Sequence, residues 1–222
     1  MNKCALFTVG YNLNYFNITE SYMKDYCNRY NLDLISRREL KMPNYNKKIP
    51  GAFERYDIFS LLDTYDRVVW VDADIIIKHN APNIFDIVPE EMFGIYYESD
   101  DYDRQCFIDV VTEYYKYPGL TRYFNSGVMV ASKNHKHLFD MDAVAKFFSQ
   151  PHIKHGIVTD QDYLNVKVHY HKTPTYNLGH KFNCLMKDTS YKLIEKSHFL
   201  HFAGCWNKNV LIKKYLHNSR NI

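Results

Sequence analysis

Two aspartates, Asp72 and Asp74, stand one residue apart after the strongest strand pattern in the sequence, Arg67-Val68-Val69-Trp70-Val71, and lead straight into Ile75-Ile76-Ile77. In an extended chain, side chains two apart project to the same side, so both carboxylates are expected together just past a buried strand. Ligands of open α/β sheets sit beyond such strand ends. Two like charges that close repel unless a cation lies between them, and hard oxygen ligands suit Mg2+ or Mn2+. Such an ion can bridge a diphosphate and take up the charge that develops on a leaving group. Two other readings stay open at this point. One aspartate can cap the following turn while the other is solvated, since acid-x-acid pairs are common by chance. A strand ending in Asp-x-Asp also begins phosphatase-type sites, but those follow with a small hydroxyl residue where this chain has Ile76.

The elements that must position the pair can be read from apolar periodicity. Cys4–Val9 is a buried strand ending at Gly10, residues 15–30 repeat apolar side chains at helical spacing, and 32–36 is a second strand. Strand, helix, strand is the unit of a parallel sheet. A loop over 41–51, a helix over 52–62 and the strand 67–71 follow, with 75–77 extended again and a strand over 92–97. A loop over 98–103, a helix over 106–115, a strand over 124–131, helices over 140–148 and from 160, and a last strand over 198–202 complete the pattern. The expectation is one α/β domain over 1–222, with a mixed, mainly parallel sheet flanked by helices, standing alone or cut from a longer protein.

Composition excludes several classes. A net charge of +3 with interleaved signs is too mild to argue for nucleic acid. No stretch approaches the ~18 apolar residues of a membrane span, and the start lacks a signal-peptide pattern, so a soluble cytoplasmic protein is expected. The five scattered cysteines, with no CxxC pair, read as reduced thiols. The C-terminal stretch carries Lys208, Lys213, Lys214 and Arg220 against no acid and reads as a solvated helix. Twenty tyrosines and 14 phenylalanines suit a protein that stacks rings on sugars or bases, although core filling explains most of them.

Four motifs in the same order, together with Arg55, resemble the retaining glycosyltransferases of family 8, the glycogenin and lipopolysaccharide galactosyltransferase type with the GT-A fold. Arg55 lies in the segment before the acidic strand, where that family has an arginine contacting the donor. YDRVVWVDADIII resembles its metal-binding segment, YFNSGVMVAS its Phe-Asn-Ser/Ala-Gly-Val strand, TDQDYLN its Asp-Gln-Asp-x-x-Asn helix start, and HFAGCWNK its His-Phe-x-Gly segment.

The resemblance implies a GT-A fold and transfer of a hexose from a nucleotide-diphosphate sugar, UDP-glucose or UDP-galactose, to a glycan or glycoprotein hydroxyl. It implies Asp72, Asp74 and His201 as ligands of Mn2+ (or Mg2+), and imidazole beside two carboxylates favours Mn2+. A lone histidine on an apolar strand is otherwise a core residue, and only the His-Phe-Ala-Gly context sets His201 apart from His198. By the same resemblance Thr8, Val9, Gly10 and Tyr11 hold the base, with Tyr11 stacking on it. Arg55, Ala73, Asn125, Ser126, Gly204 and Lys208 approach the nucleotide sugar, Asp160 meets sugar hydroxyls, and Gln161 lies beside the anomeric carbon. Independently of the family, Thr159 and Asp160 form a helix N-cap sequence, Gly10 is a turn glycine, and Arg55 is a helix arginine. One departure stands out. The family's Lys-Pro-Trp lysine falls six residues past the histidine, where this chain has Asn207, with Lys208 one place later. Either the loop shifts so that Lys208 meets the diphosphate, or that contact is lost. Two rivals remain: a sugar-nucleotide-binding module without transfer activity, and a nucleotidyltransferase, although GYNLNYFN lacks the glycine-rich basic loop of the latter.

Overall fold

The computed structural model describes residues 2–43, 45, 51–150, 153, 159–187 and 189–219. Strand β1 (Cys4–Val9), helix α1 (Phe16–Tyr30) and β2 (Asp33–Arg37) form the expected opening unit, with β1 and β2 parallel. α1 ends at Asn31, whose left-handed backbone (φ 52°) lets its N–H reach back to the Cys27 carbonyl. The chain then contributes β3 (Arg67–Val71), β4 (Ile75–Ile77), β5 (Phe93–Tyr96), β6 (Asn125–Ser132), β7 (Thr175–Asn177), β8 (Cys184–Leu185) and β9 (Phe199–His201). The remaining helices are α2 (Ile58–Leu61), α3 (Ile84–Ile87), α4 (Gln105–Tyr115), α5 (Met141–Phe148), α6 (Asp160–Tyr170), α7 (Gly179–Phe182), α8 (Tyr191–Lys196) and α9 (Lys208–Ser219).

The larger sheet runs β2-β1-β3-β6-β5-β7. β3 is parallel to β1 and β7 to β5, while β6 runs antiparallel to both β3 and β5, which makes the sheet mixed. The central strand β3 is buried along its whole length. Val68 and Trp70 enter the core on one face, with Phe7 and Met129, while Val69 and Val71 enter the core on the other, with Leu6 and Val130. Burial on both faces is why this strand is a continuous apolar run rather than an alternating one. A smaller sheet, β4-β9-β8, pairs β4 antiparallel to β9 and places Ile75 opposite His201.

Three expectations are revised. The helix expected over 52–62 is a 3-10 segment, Ala52–Asp57, running into the short α2. Its three-residue winding aligns Ala52 with Arg55, and the Arg55 Nε–H donates to the Ala52 carbonyl at 3.0 Å. The loop expected over 98–103 begins with a 3-10 turn, Glu98–Asp100. The C-terminal α9 is not fully solvated: Ile212 is completely buried with Tyr15, Ile76, Leu200 and Phe202. Much of the 41–51 loop, and Arg220, lie outside the described residues. All five cysteines are free thiols, and among the described residues no helix is long and apolar enough to cross a membrane.

His135 sits in the core at 1 % exposure, its Nδ1 accepting the Ser132 N–H at 3.0 Å. Burial pushes this imidazole down to about 4, with nearby His137 and Arg67 adding to the effect. An unfolded histidine titrates near ~6.5, so the unfolded chain binds a proton that the folded one refuses between the two values. This contribution to stability is therefore fully present above that range and declines as pH falls toward 4. His135→Asn should flatten the acid limb of the stability profile by an amount on the order of 3 kcal/mol between pH 7 and pH 4, read by urea unfolding of both proteins at several pH values.

Candidate active site

The chain leaves β3 at Val71 and turns at once. The Ile75 N–H closes onto the Asp72 carbonyl at 3.1 Å, so Asp72-Ala73-Asp74-Ile75 is a tight turn rather than an extended continuation. The two carboxylates meet because of this turn, not because of strand alternation. Every residue of it is clamped. The Asp72 N–H donates to the Gly127 carbonyl at 2.8 Å, the Thr19 hydroxyl to the Ala73 carbonyl at 2.6 Å, and the Phe202 N–H to the Asp74 carbonyl at 3.1 Å.

Pairing of β4 with β9 brings His201 across from Ile75 and next to the acids. His201 Nε2 lies 3.2 Å from Asp74 Oδ1 and 3.6 Å from Asp72 Oδ2. The second polar atom of each residue is held by the protein. Asp72 Oδ1 accepts from Trp70 Nε1 at 2.7 Å and from Arg55 Nη2 at 3.3 Å. Asp74 Oδ2 accepts from the Lys208 ammonium. His201 Nδ1 meets Asn183 Oδ1 at 2.8 Å. Asn183 Nδ2 is committed as donor to Asn125 Oδ1 at 2.9 Å, so Asn183 Oδ1 must accept and the His201 proton sits on Nδ1. His201 Nε2 therefore faces the two free carboxylate oxygens, placed to donate a proton to them or, once deprotonated, to bind a cation with them. Asp72, Asp74 and His201 form the one group of potential metal-ligand side chains found among the described residues, its ligand atoms within 4.8 Å of one another. Two oxygens and a neutral imidazole nitrogen with outer hydrogen bonds are a donor set that fits a divalent ion. Burial works against the charged form of Asp74, but His201 and Lys208 outweigh it and hold that carboxyl well below its usual range.

Gly127 has a requirement of its own. A Cβ there would lie 2.2 Å from His201 Cε1 and 2.9 Å from Asn125 Oδ1. The imidazole lies against this stretch of β6, and only a residue without a side chain fits beneath it.

A second network lies beside the first. Arg55 is 6 % exposed and fully engaged: Nε 3.1 Å from Asp160 Oδ2, Nη1 on Ser126, Nη2 on Asp72. Burial raises the Asp160 carboxyl to about 6 even though Arg55 opposes the shift. Gln161 Oε1 accepts from the Ser126 N–H and hydroxyl, both at 2.9 Å. At the start of α6, Asp162 receives the Thr159 N–H and hydroxyl, while the Tyr123 hydroxyl donates to its other oxygen at 2.5 Å. Thr159 with Asp162 is a capping box. Asn165 exchanges hydrogen bonds with the Phe124 backbone and pins α6 to β6.

The two networks meet at one cavity of about 500 Å3. Of the residues expected at the site, Arg55, Asp72, Asp74, Asn125, Ser126, Asp160, Gln161, His201, Gly204 and Lys208 all reach it. Lys208, despite its displaced position, arrives because Asn207 takes a left-handed backbone (φ 53°) and starts α9 at Lys208. Thr8, Val9, Gly10, Tyr11 and Ala73 do not line it. Thr8 and Val9 are buried, Gly10 lies against Phe16, and of that group Tyr11 is the one exposed, at 37 %. Glu98, Arg104, Phe107, Tyr123, Leu185 and Lys187 also line the cavity, and Asn183 supports it from behind; sequence reasoning named none of them as site residues. The first three fall in the loop and helix over 98–121, which the sequence places between the acidic motif and the FNSG strand and which is expected to flank an acceptor site.

The family model for glycosyl transferase family 8 matches residues 2–209. The chain belongs to that family. It is thus a nucleotide-sugar-dependent glycosyltransferase. Solved GT-A glycosyltransferases share the fold at low identity. One acts in glycosylation of the major capsid of PBCV-1 (TM-score 0.61, 15% identity, covering 91% of this chain and 94% of that one). Another is the galactosyltransferase LgtC in complex with donor and acceptor sugar analogs (TM-score 0.59, 11% identity, covering 94% of each). A third is the bifunctional WbbM (TM-score 0.62, 14% identity, covering 91% of this chain and 46% of that one). No curated sequence matches the chain. In this glycosyltransferase the backing of His201 is open to test. Asn183→Ala, which frees the imidazole, and Gly127→Ala, which collides with it, should each weaken divalent-ion binding at this group by roughly 10–100-fold, measured by EPR titration with Mn2+ as the probe ion, with far-UV circular dichroism retained for Asn183→Ala.

Proposed function

We propose that this chain transfers a hexosyl group from a UDP-sugar, UDP-glucose or UDP-galactose, to a hydroxyl of a glycan or glycoprotein, in the cytoplasm and with retention of anomeric configuration. The observation that carries the reading is the convergence of Asp72 Oδ2, Asp74 Oδ1 and His201 Nε2 at the floor of a cavity that also holds Gln161 and Ser126. The three residues would hold Mn2+ (or Mg2+), which when bound neutralises the diphosphate leaving group.

The other parts follow from where they lie. Lys208 adds positive charge on the diphosphate side. Arg55, whose N–H groups are spent on the protein, acts as a positioning residue that fixes Asp72, Ser126 and Asp160 relative to one another. Asn125, Ser126, Gly204 and Asp160 flank the donor sugar. Thr8, Val9, Gly10 and Ala73 shape the approach to the base, for which Tyr11 offers an exposed ring. Gln161 sits beside the anomeric carbon. An amide is a poor nucleophile, so the acceptor oxygen attacks from the face the diphosphate leaves. The C1–O bond to the acceptor forms as the C1–O bond to UDP breaks, and the acceptor's proton leaves on the diphosphate oxygen.

A panel of UDP- and GDP-sugars with Mn2+, assayed for free nucleotide, should single out one donor. Asp72→Ala or Asp74→Ala should lower turnover about a thousandfold or more, since a metal contributes several kcal/mol to transition-state charge. A mutant as active as the parent refutes the metal assignment. NMR of the first-formed product should show the donor's anomeric configuration, and inversion would overturn the same-face mechanism.

A further inference from the structure

The arginines and lysines that line the cavity are Arg55, Arg104, Lys187 and Lys208. Three of them are already committed to carboxylates. Arg55 lies against Asp72 and Asp160, Arg104 lies 3.4 Å from Glu98, and Lys208 is paired with Asp74. The Lys208 contact is to Asp74 Oδ2, whereas Oδ1 faces His201, so a cation held by Oδ1 leaves that pair in place. Drawing any of the three onto a ligand leaves a carboxylate in the cavity wall without its counter-charge, which is costly. Lys187 differs. It is exposed, and among the described residues no carboxylate pairs with it. Its position is nevertheless fixed by the fold. β8 pairs with β9 so that Leu185 stands opposite His201, and the Met186 N–H donates to the His201 carbonyl at 2.8 Å. The Thr189 hydroxyl donates to the Leu185 carbonyl at 2.6 Å and closes the turn around Lys187. The lysine stem then passes over Gly204, where an added Cβ would meet Lys187 Cδ at 3.7 Å. Gly204 has a left-handed backbone (φ 64°) and itself lines the cavity, so the stem crosses bare main chain.

We propose that Lys187, two residues beyond the partner of a metal-ligand histidine, is the side-chain cation that directly contacts the donor diphosphate, while Lys208 lends its charge through Asp74. This rests on the glycosyltransferase reading of the cavity and adds a substrate-binding residue that no sequence motif marks. A divalent ion shared with Asp72 and Asp74 has its charge largely met by those two carboxylates, which leaves the diphosphate in need of a further cation. That need grows as the C1–O bond to the sugar breaks and negative charge builds on the leaving diphosphate. An ammonium without an internal partner meets this charge and breaks no existing ion pair, and its four-carbon stem lets it follow the phosphate as it leaves.

The test is calorimetric titration of UDP, with Mn2+ present, into the parent and into Lys187→Met, which keeps the stem over Gly204 and removes the charge. The variant should bind UDP roughly 10–100-fold more weakly, the loss expected for one hydrogen bond between charged groups. Lys187→Arg should stay within about threefold of the parent, because the charge is kept. The gap between parent and Lys187→Met should narrow as KCl is raised, since an exposed charge contact is screened. Mn2+ affinity measured without nucleotide separates the two lysines. It should stay within about twofold of the parent in Lys187→Met and change about threefold or more in Lys208→Met, whose lysine sits on a ligand carboxylate. Parental UDP affinity in Lys187→Met overturns the proposal, as does an equal loss in Lys187→Arg or a reversed pattern of Mn2+ affinities. If the parent itself binds no UDP, the donor reading fails and this assignment falls with it; if the parent binds UDP and Lys187→Met binds it equally well, the assignment of Lys187 alone is refuted.

Discussion

Three potential ligand atoms converge in this protein, and much of the surrounding structure exists to keep them there. Two carboxylates and an imidazole nitrogen so close together are unfavourable without a cation. Each is denied an escape by its own second atom. Asp72 is tethered through Trp70 and Arg55, Asp74 through Lys208, and His201 through Asn183. The site is pre-paid in backbone geometry as well: the Asp72–Ile75 turn is clamped by hydrogen bonds from β6, α1 and the segment after β9. A site built this way needs little reorganisation when its ligand arrives, which is where catalytic advantage comes from.

The tethers also connect the metal-ligand group to the rest of the cavity. Arg55 spans from Asp72 to Asp160 and to Ser126, and Ser126 holds the Gln161 side chain. Asn125 connects Asn183, and through it His201, with the Gly127 N–H. A perturbation at one end therefore reaches the other within a few hydrogen bonds, through buried side chains that have no alternative partners in water. The raised carboxyl of Asp160 belongs to the same economy: its burial is tolerated because Arg55 lies against it.

Membership in glycosyl transferase family 8 and the GT-A architecture agree with this chemistry, but the solved relatives are too distant to transfer substrates. A second face of the cavity is built from β5, its 3-10 turn and α4. There the buried Glu98, Arg104 and the exposed ring of Phe107 meet the cavity. The metal-ligand end is made from strand ends and turns of the two sheets, whereas this end is made from a connecting segment, where specificity is free to vary without disturbing the sheet.

Local pattern alone was enough for the elements that are long or strongly apolar. β3 was legible because it is buried on both faces, α1 because its apolar positions repeat at helical spacing, and Asp72 and Asp74 because two acids interrupt an apolar run. The short elements β7, β8, α3, α7 and α8 carry too few residues for any period to show, and the 3-10 winding over 52–57 differs from an α-helix only in hydrogen-bond register. The roles of Asn183 and Phe107 could not be seen along the chain, because each depends on a partner well separated in sequence: Asn183 on His201 and Asn125, Phe107 on Tyr123 and through it the α6 cap. Likewise the need for glycine at position 127 is set by the His201 ring, far along the chain. Residue type and spacing determined which side chains were able to bind a cation; only the pairing of β4 with β9, and the turn that replaces strand after Val71, decided that they meet, because proximity across a fold is set by packing and not by distance along the chain.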